Sequence, residues 1–145
     1  MKNAKSKKDF LDVAGQFEKI GKFKDSAALA AECREKAKET VYMQAKNALL
    51  ISKTEKELLE TAAEFERLKG YKDSAVLAEQ CRENAKETVY IQTRKILLNS
   101  KNEKELLTAA NKFEKLKDYK DSAALAKECR QKSTAYQMEI EAIAT

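Results

Sequence analysis

Apolar residues recur along this chain at every third or fourth position, first in a short stripe and then in a long one. In the middle of the sequence Leu58, Ala62, Phe65 and Leu68 stand four, three and three residues apart, which is one face of an α-helix. Thr54 ahead of them, with Glu57 three positions on, makes a capping box that starts this helix. Gly70 is placed to stop it, because glycine takes the left-handed conformation at a helix end without strain. A longer stripe is clearest in the first third of the chain: Ala30, Cys33, Ala37, Val41, Ala45 and Ala48, five steps over 18 residues. That is the period of a straight α-helix, about 3.6 residues per turn. No Gly or Pro interrupts residues 26–51, so the spacing predicts one helix of roughly 39 Å. A break near Thr40 or Thr88, giving three helices per unit, is the alternative. Beyond Val41 the face widens to include Tyr42, Leu49 and Leu50, which predicts contact with more than one neighbour.

The two-stripe pattern repeats. Lys-Asp-Ser-Ala occurs at Lys24, Lys72 and Lys120, a period of 48 residues. The same offset carries Phe17 onto Phe65 and Phe113, Cys33 onto Cys81 and Cys129, Arg34 onto Arg82 and Arg130, and Phe23 onto Tyr71 and Tyr119. Ser6, Thr54 and Asn102 align as helix starts, Ser6 with Asp9 and Asn102 with Glu105 being looser forms of the capping box. At the turn, Gly70 aligns with Lys22 and Asp118, and the first copy has Gly21 instead, so similar but non-identical turns are expected. Asp25, Asp73 and Asp121 stand where an N-cap of the long helix belongs, with carboxylates able to accept from the first-turn amides.

A two-helix unit cannot bury its stripe alone, whereas stacked units share a continuous core. The expected fold is therefore all-α: an α-α superhelix, or helical-hairpin solenoid, of three tandem 48-residue repeats, each a short helix plus a long one. The whole chain, 1–145, reads as a single helical-repeat domain with units at about 7–54, 55–102 and 103–145. The last copy departs from the pattern as a capping unit should. Ala37 and Ala85 become Ser133, Val41 and Val89 become Gln137, and Ala45 and Thr93 become Glu141. Tyr136, Ile140 and Ile143 supply a replacement stripe, so the final helix is expected to form with one face tolerant of water.

The segment Ala62 to Cys81, AAEFERLKGYKDSAVLAEQC, resembles a repeat of uncharacterised bacterial proteins of the Firmicutes type, relatives of the tetratricopeptide superfamily. Gly70-Tyr71 followed by Ala75 is similar to the turn and small residue that let two such helices pack closely. The present unit has 48 residues against about 34 in a tetratricopeptide unit, and it lacks the proline common near that unit's end. The resemblance implies a helical-repeat fold and partner binding, and brings no catalytic residue with it.

Composition narrows the function. Charged residues make up 37% of the chain and aromatics 7%, with no Pro and no His, a balance suited to helix. The lack of histidine removes the commonest acid–base group and metal ligand. The net charge of +5 points toward polyanions until it is located: Lys2, Lys5, Lys7 and Lys8 supply nearly all of it, leaving residues 9–145 at +1. Nucleic-acid domains cluster their basic residues on one face, so a nucleic-acid partner is disfavoured. The start MKNAKSKKDFL lacks the apolar run of a secretory signal, and no apolar stretch reaches the roughly 18–20 residues that span a bilayer. A cytoplasmic protein with no membrane contact is the expectation.

Two features could carry chemistry. Cys33, Cys81 and Cys129 lack close C-x-x-C pairs and histidine partners, so they do not form a zinc set. Helices pack about 8–10 Å apart, beyond the ~7 Å reach of a disulfide between Cα atoms. The cysteines are expected as shielded thiols in the core. The turn residues Phe23, Lys24, Tyr71, Lys72, Tyr119 and Lys120 are the candidate partner contacts, a row of aromatic and cationic groups able to meet an acidic partner. Set against this, the aromatics can simply close the helix corner while Asp25, Asp73 and Asp121 cancel the lysine field. Phosphate-binding loops, nucleophile elbows and H-E-x-x-H are all missing. The expected protein is not an enzyme and takes no cofactor. It reads as a scaffold for a protein or peptide partner, with self-association through the N-terminal repeat face as a further expectation. A purely structural or engineered array without ligand, or a weak polyanion binder, is the alternative.

Overall fold

The computed structural model describes residues 6–20 and 25–144 and places nearly all of them in six α-helices, with no strand among the described residues. In chain order these are α1 (Lys7–Ile20), α2 (Ser26–Ile51), α3 (Glu55–Arg67), α4 (Ser74–Asn99), α5 (Glu103–Lys115) and α6 (Ser122–Ala144). Short and long helices alternate, as the two stripe lengths require. α2 and α4 are unbroken over 26 residues each, so the three-helix alternative falls. Thr40 and Thr88 lie inside them, each returning its hydroxyl to the carbonyl four residues back, Lys36 and Asn84, at 2.9 Å. That local bond lets a β-branched residue sit in a helix without opening it.

The starts of the short helices follow the caps. The Thr54 side chain accepts from the Glu57 amide at 3.2 Å, and Asn102 accepts from the Glu105 amide at 3.1 Å. Ser6 does the same for Asp9 at 3.1 Å. Glu57 reaches back to the Lys53 amide at 3.0 Å, one residue beyond the reciprocal bond of a standard capping box. The stops differ from the sequence expectation. α3 ends at Arg67, and the left-handed conformation begins at Lys69 (φ +48°) before Gly70 (φ +81°). In the third copy Lys117 is left-handed at φ +54°, while Asp118 keeps a negative φ.

The long-helix starts also correct an expectation. Asp73 and Asp121 contribute backbone carbonyls, accepting from Leu77 and Leu125 at 3.0 Å. Their carboxylates turn away from the first-turn amides to tyrosine hydroxyls on the preceding long helix. Asp25 makes no side-chain cap hydrogen bond.

Two compact units divide inside α4, one running up to Arg82 and one from Glu83. In the first, Ala14, Ala30 and Cys33 pack where α1 meets α2, with Val13 and Phe17 half-buried against them. A larger cluster joins Val41, Tyr42 and Ala45 of α2 to Ala62, Phe65 and Leu68 at α3 and to Ala78 and Cys81 of α4. The second unit repeats this composition with Tyr90 and Leu97 of α4, Leu106, Ala109, Ala110 and Phe113 of α5, and Ala126 and Cys129 of α6. Each large cluster therefore combines the second half of one long helix with the following hairpin. Phe65 and Phe113 are completely buried, and burying such a side chain is worth about 1.5–3 kcal/mol. On the hairpins, Glu18–Arg34, Glu66–Arg82 and Glu114–Arg130 form the same ion pair in each copy. Exposed pairs of this kind add only about 0.2–1 kcal/mol each.

Three expectations about exposure need correction. Leu50 does not join the widened face but stands 83% exposed, while its neighbour Leu49 packs against the core. Ser133 is not on a wet face. It is buried and aims its hydroxyl at the Glu103 carbonyl, 3.4 Å away, so α5 still covers α6 at that depth. Of the replacement stripe only Tyr136 packs on the core, while Ile140 and Ile143 are exposed. The three cysteines are buried and form no disulfide, and burial pushes the Cys81 and Cys129 thiols upward. No helix among the described residues is long and apolar enough to cross a membrane.

Candidate functional site

Of the candidate contact residues, Phe23 and Lys24 lie outside the described residues. The structure brings the other four together in pairs, Tyr71 with Lys72 and Tyr119 with Lys120, each docked on a long helix. Lys72 (φ +50°) and Lys120 (φ +49°) are left-handed non-glycine residues. Such a backbone costs about 1–2 kcal/mol per residue, so its surroundings must hold it. They do. The Tyr71 hydroxyl donates to Glu39 at 2.7 Å, and the Lys72 ammonium pairs with the same carboxylate at 2.6 Å. Tyr42, one turn along α2 from Glu39, donates to Asp73 at 2.5 Å. The Tyr42 ring meets Phe65 and Tyr71 edge-on, with centroids 6.3 and 5.8 Å apart, and edge contacts of this type add about 0.5–1.5 kcal/mol beyond burial. Lys72 also lies 5.0 Å from the Tyr42 ring centre, within cation–π range.

The second unit contains the same clamp shifted by one repeat. Tyr119 and Lys120 both bind Glu87, Tyr90 binds Asp121, and the Tyr90 ring meets Phe113 and Tyr119 at 6.1 and 5.9 Å. The electrostatics follow from these partners. Glu39 and Glu87 are held below the usual carboxylate range, first by the lysine and then by the tyrosine hydroxyl. Tyr71 and Tyr119 are pushed up to about 12 by donating to those carboxylates. Asp73 and Asp121 raise Tyr42 and Tyr90 in the same way. A general acid or base works best with a pKa near the operating pH. These groups are displaced from neutrality in both directions, which suits holding a turn rather than moving protons.

A concave surface lies elsewhere in the first unit, between α1, α2 and α3. It is a groove of about 620 Å³ with Val41, Ala45, Ala48 and Ile51 of α2 on its floor. Glu57, Glu60 and Glu64 of α3 form one wall, and Lys7 of α1 stands on the other side. Their spacing of three and four residues puts the carboxylates in a row on one helix face. Glu57 accepts from the Lys53 amide and Glu64 pairs with Arg67, whereas Glu60 has no side-chain partner among the described residues. Past Val41 a smaller hollow of about 300 Å³ is rimmed by Arg34, Lys38, Arg67 and Lys69. Three of those cations already pair with Glu18, Glu35 and Glu64, and the lining of the larger groove carries three carboxylates against one lysine.

The stripe reading did not find this groove, because it ranks residues by burial and the wall is built from the solvated face of α3. A signal was nevertheless present. The aligned positions read Asp9, Asp12 and Gln16 in the first copy, Glu57, Glu60 and Glu64 in the second, and Glu105, Thr108 and Lys112 in the third. Only the second copy has three acids. No protein-family model, curated protein or solved structure matches the chain.

Proposed function

We propose that this protein is a non-catalytic helical-repeat scaffold, tetratricopeptide-like in construction, that holds a protein or peptide partner in the groove between α1, α2 and α3. The observation carrying this reading is the pairing of an apolar floor with a row of three carboxylates, in a hollow within the usual ligand-site range of about 300–1,000 Å³. The partner that fits is an amphipathic segment with apolar side chains toward Val41 and Ala45, and Lys or Arg toward α3. The clamp residues support the reading from the other side. Their tyrosines, lysines and carboxylates are consumed by one another, so they serve the scaffold and leave the groove as the recognition surface.

The test is fluorescence polarisation with labelled amphipathic helical peptides carrying Lys on one edge, against the same peptides carrying Glu. Binding of the basic set, weakened by salt and by Glu60→Lys with Glu64→Lys, is expected. Retention of neither set would favour a purely structural array, and equal retention of both would remove the carboxylate row from the reading.

A further inference from the structure

The clamp has two halves. A long helix supplies a platform, Glu39, Val41, Tyr42 and Ala45 on α2, or Glu87, Val89, Tyr90 and Thr93 on α4. The next hairpin supplies a triplet at its turn, Tyr71-Lys72-Asp73 or Tyr119-Lys120-Asp121. Glutamate takes the tyrosine hydroxyl and the ammonium, the platform tyrosine gives its own hydroxyl to aspartate, and its ring lies against both aromatics of the hairpin. The same residues meet in the same way one repeat later. The pattern is kept in both copies of the repeat where a long helix is followed by a hairpin.

The corresponding platform on α6 reads Ala135, Gln137, Met138 and Glu141. Every part of the pattern is gone. The carboxylate that would hold a turn is a methyl group, the tyrosine is a thioether, and two floor positions are polar. Met138 is 64% exposed, whereas Tyr42 and Tyr90 are 6% exposed. At the other end, the sequence of the first hairpin keeps Lys24 and Asp25 of the triplet, with Phe23 in place of its tyrosine. Phe17 is half-buried where Phe65 and Phe113 are completely covered, and the Asp25 side chain makes no cap hydrogen bond.

We infer that the platform Glu–Tyr pair and the turn triplet form a two-part recognition code for stacking one hairpin on one long helix, and that α6 is closed by substitution both to a hairpin bearing the triplet and to one bearing its first-copy form, Phe23-Lys24-Asp25, of a second copy. Copies of this chain therefore do not add head to tail through this register. Self-association through the α1 face pairs that face with something other than α6. Burying Glu141 and Gln137 beneath a hairpin would strand a charge and an amide without partners, a penalty that groups left in water avoid. The closure is thus both a missing attraction and a built-in repulsion.

The code is tested inside the full chain by writing third-copy residues into the second, Glu87→Ala with Tyr90→Met. Amide exchange at residues 116–122 should accelerate at least about tenfold, in line with the loss of about 1.4 kcal/mol or more, while residues 68–74 keep their protection. If the double variant unfolds the second unit, Tyr90→Phe retains the ring, removes only the hydroxyl, and should move the same amides in the same direction. Unchanged exchange at 116–122 in both variants, or an equal change at 68–74, overturns the code. Closure is tested by the reverse change, Ala135→Glu, Gln137→Val, Met138→Tyr and Glu141→Ala together. This chain should sediment as a concentration-dependent oligomer and return to the wild-type behaviour when Asp25→Ala is added. An opened chain that stays monomeric, or one whose association ignores Asp25, overturns the closure.

Discussion

At the scale of single residues, equivalent positions are not equivalent in energy. Phe17, Phe65 and Phe113 stand one repeat apart, yet only the last two are completely enclosed. Phe65→Ala leaves a cavity among Tyr42, Ala62 and Cys81 and is expected to lower unfolding free energy by about 3–5 kcal/mol. Phe17→Ala should lower it by clearly less, since that ring is only partly enclosed. Urea titration of the two variants compares them directly. The clamp groups make a second prediction, in pH. Glu39 and Glu87 lie below their ordinary value, so their contribution is complete above the unfolded value of about 4.3 and is lost as the pH falls through the folded one. Tyr71 and Tyr119 lie above theirs, at about 12. Their contribution is complete below about pH 10 and disappears as the pH rises toward the folded value. Melting temperature should therefore be flat between about pH 5 and 8, fall at lower pH, and fall at higher pH first as the unfolded thiols of the buried Cys81 and Cys129 ionise from about pH 8.5 and then as the tyrosines do. Tyr71→Phe with Tyr119→Phe should remove part of the alkaline fall, and phenolate absorbance should show those two tyrosines ionising late.

At the scale of elements, helix ends were the hardest part to read. The capping residues were legible because their signal is local: Thr54 and Asn102 act on an amide three positions away, whatever the rest of the chain does. Thr54→Ala is expected to cost about 0.5–2 kcal/mol by thermal melting. The turns were not legible, because lysine is a poor indicator of a left-handed residue. Lys69, Lys72, Lys117 and Lys120 take positive φ, a conformation usually assigned to glycine. Lys117 takes no part in the clamp, so Lys117→Gly should relieve strain and stabilise the protein by up to about 1 kcal/mol. Lys120→Gly relieves the same strain but removes the pair with Glu87, and should stabilise less or destabilise. The order of the two melting temperatures checks both statements.

At the scale of the whole molecule, the buried cysteines and the groove give contrasting forecasts. Cys33, Cys81 and Cys129 are completely buried, so a thiol reagent should label them only as fast as the helices open, and labelling should accelerate sharply in denaturant. Rapid labelling of all three in the native state would contradict the packing. Residues on the solvated face of α3 should behave in the opposite way. Glu60→Lys should leave the melting temperature nearly unchanged, since nothing in the fold depends on that side chain, while weakening the attraction expected for basic peptides.

The alternation of short and long helices and the buried stripes Ala30 to Ala45 and Leu58 to Leu68 were legible in the sequence alone, whereas the structure decided that the long helices run unbroken past Thr40 and Thr88. Helical periodicity is a property of near neighbours, and a 48-residue repeat multiplies the evidence for it. What only the tertiary structure decided concerns partners distant in sequence. Tyr42 finds Asp73 and Glu39 finds Tyr71 across a gap of more than thirty residues, which no local rule specifies. For that reason Asp73 resembled a helix cap and proved to be half of a clamp. It is also why the sequence marked Glu57 only as a capping residue and did not single out Glu60 and Glu64, which line a groove beside the apolar side chains of α2. Periodicity records which side of a helix faces inward, whereas a site depends on which surfaces the fold then sets opposite one another.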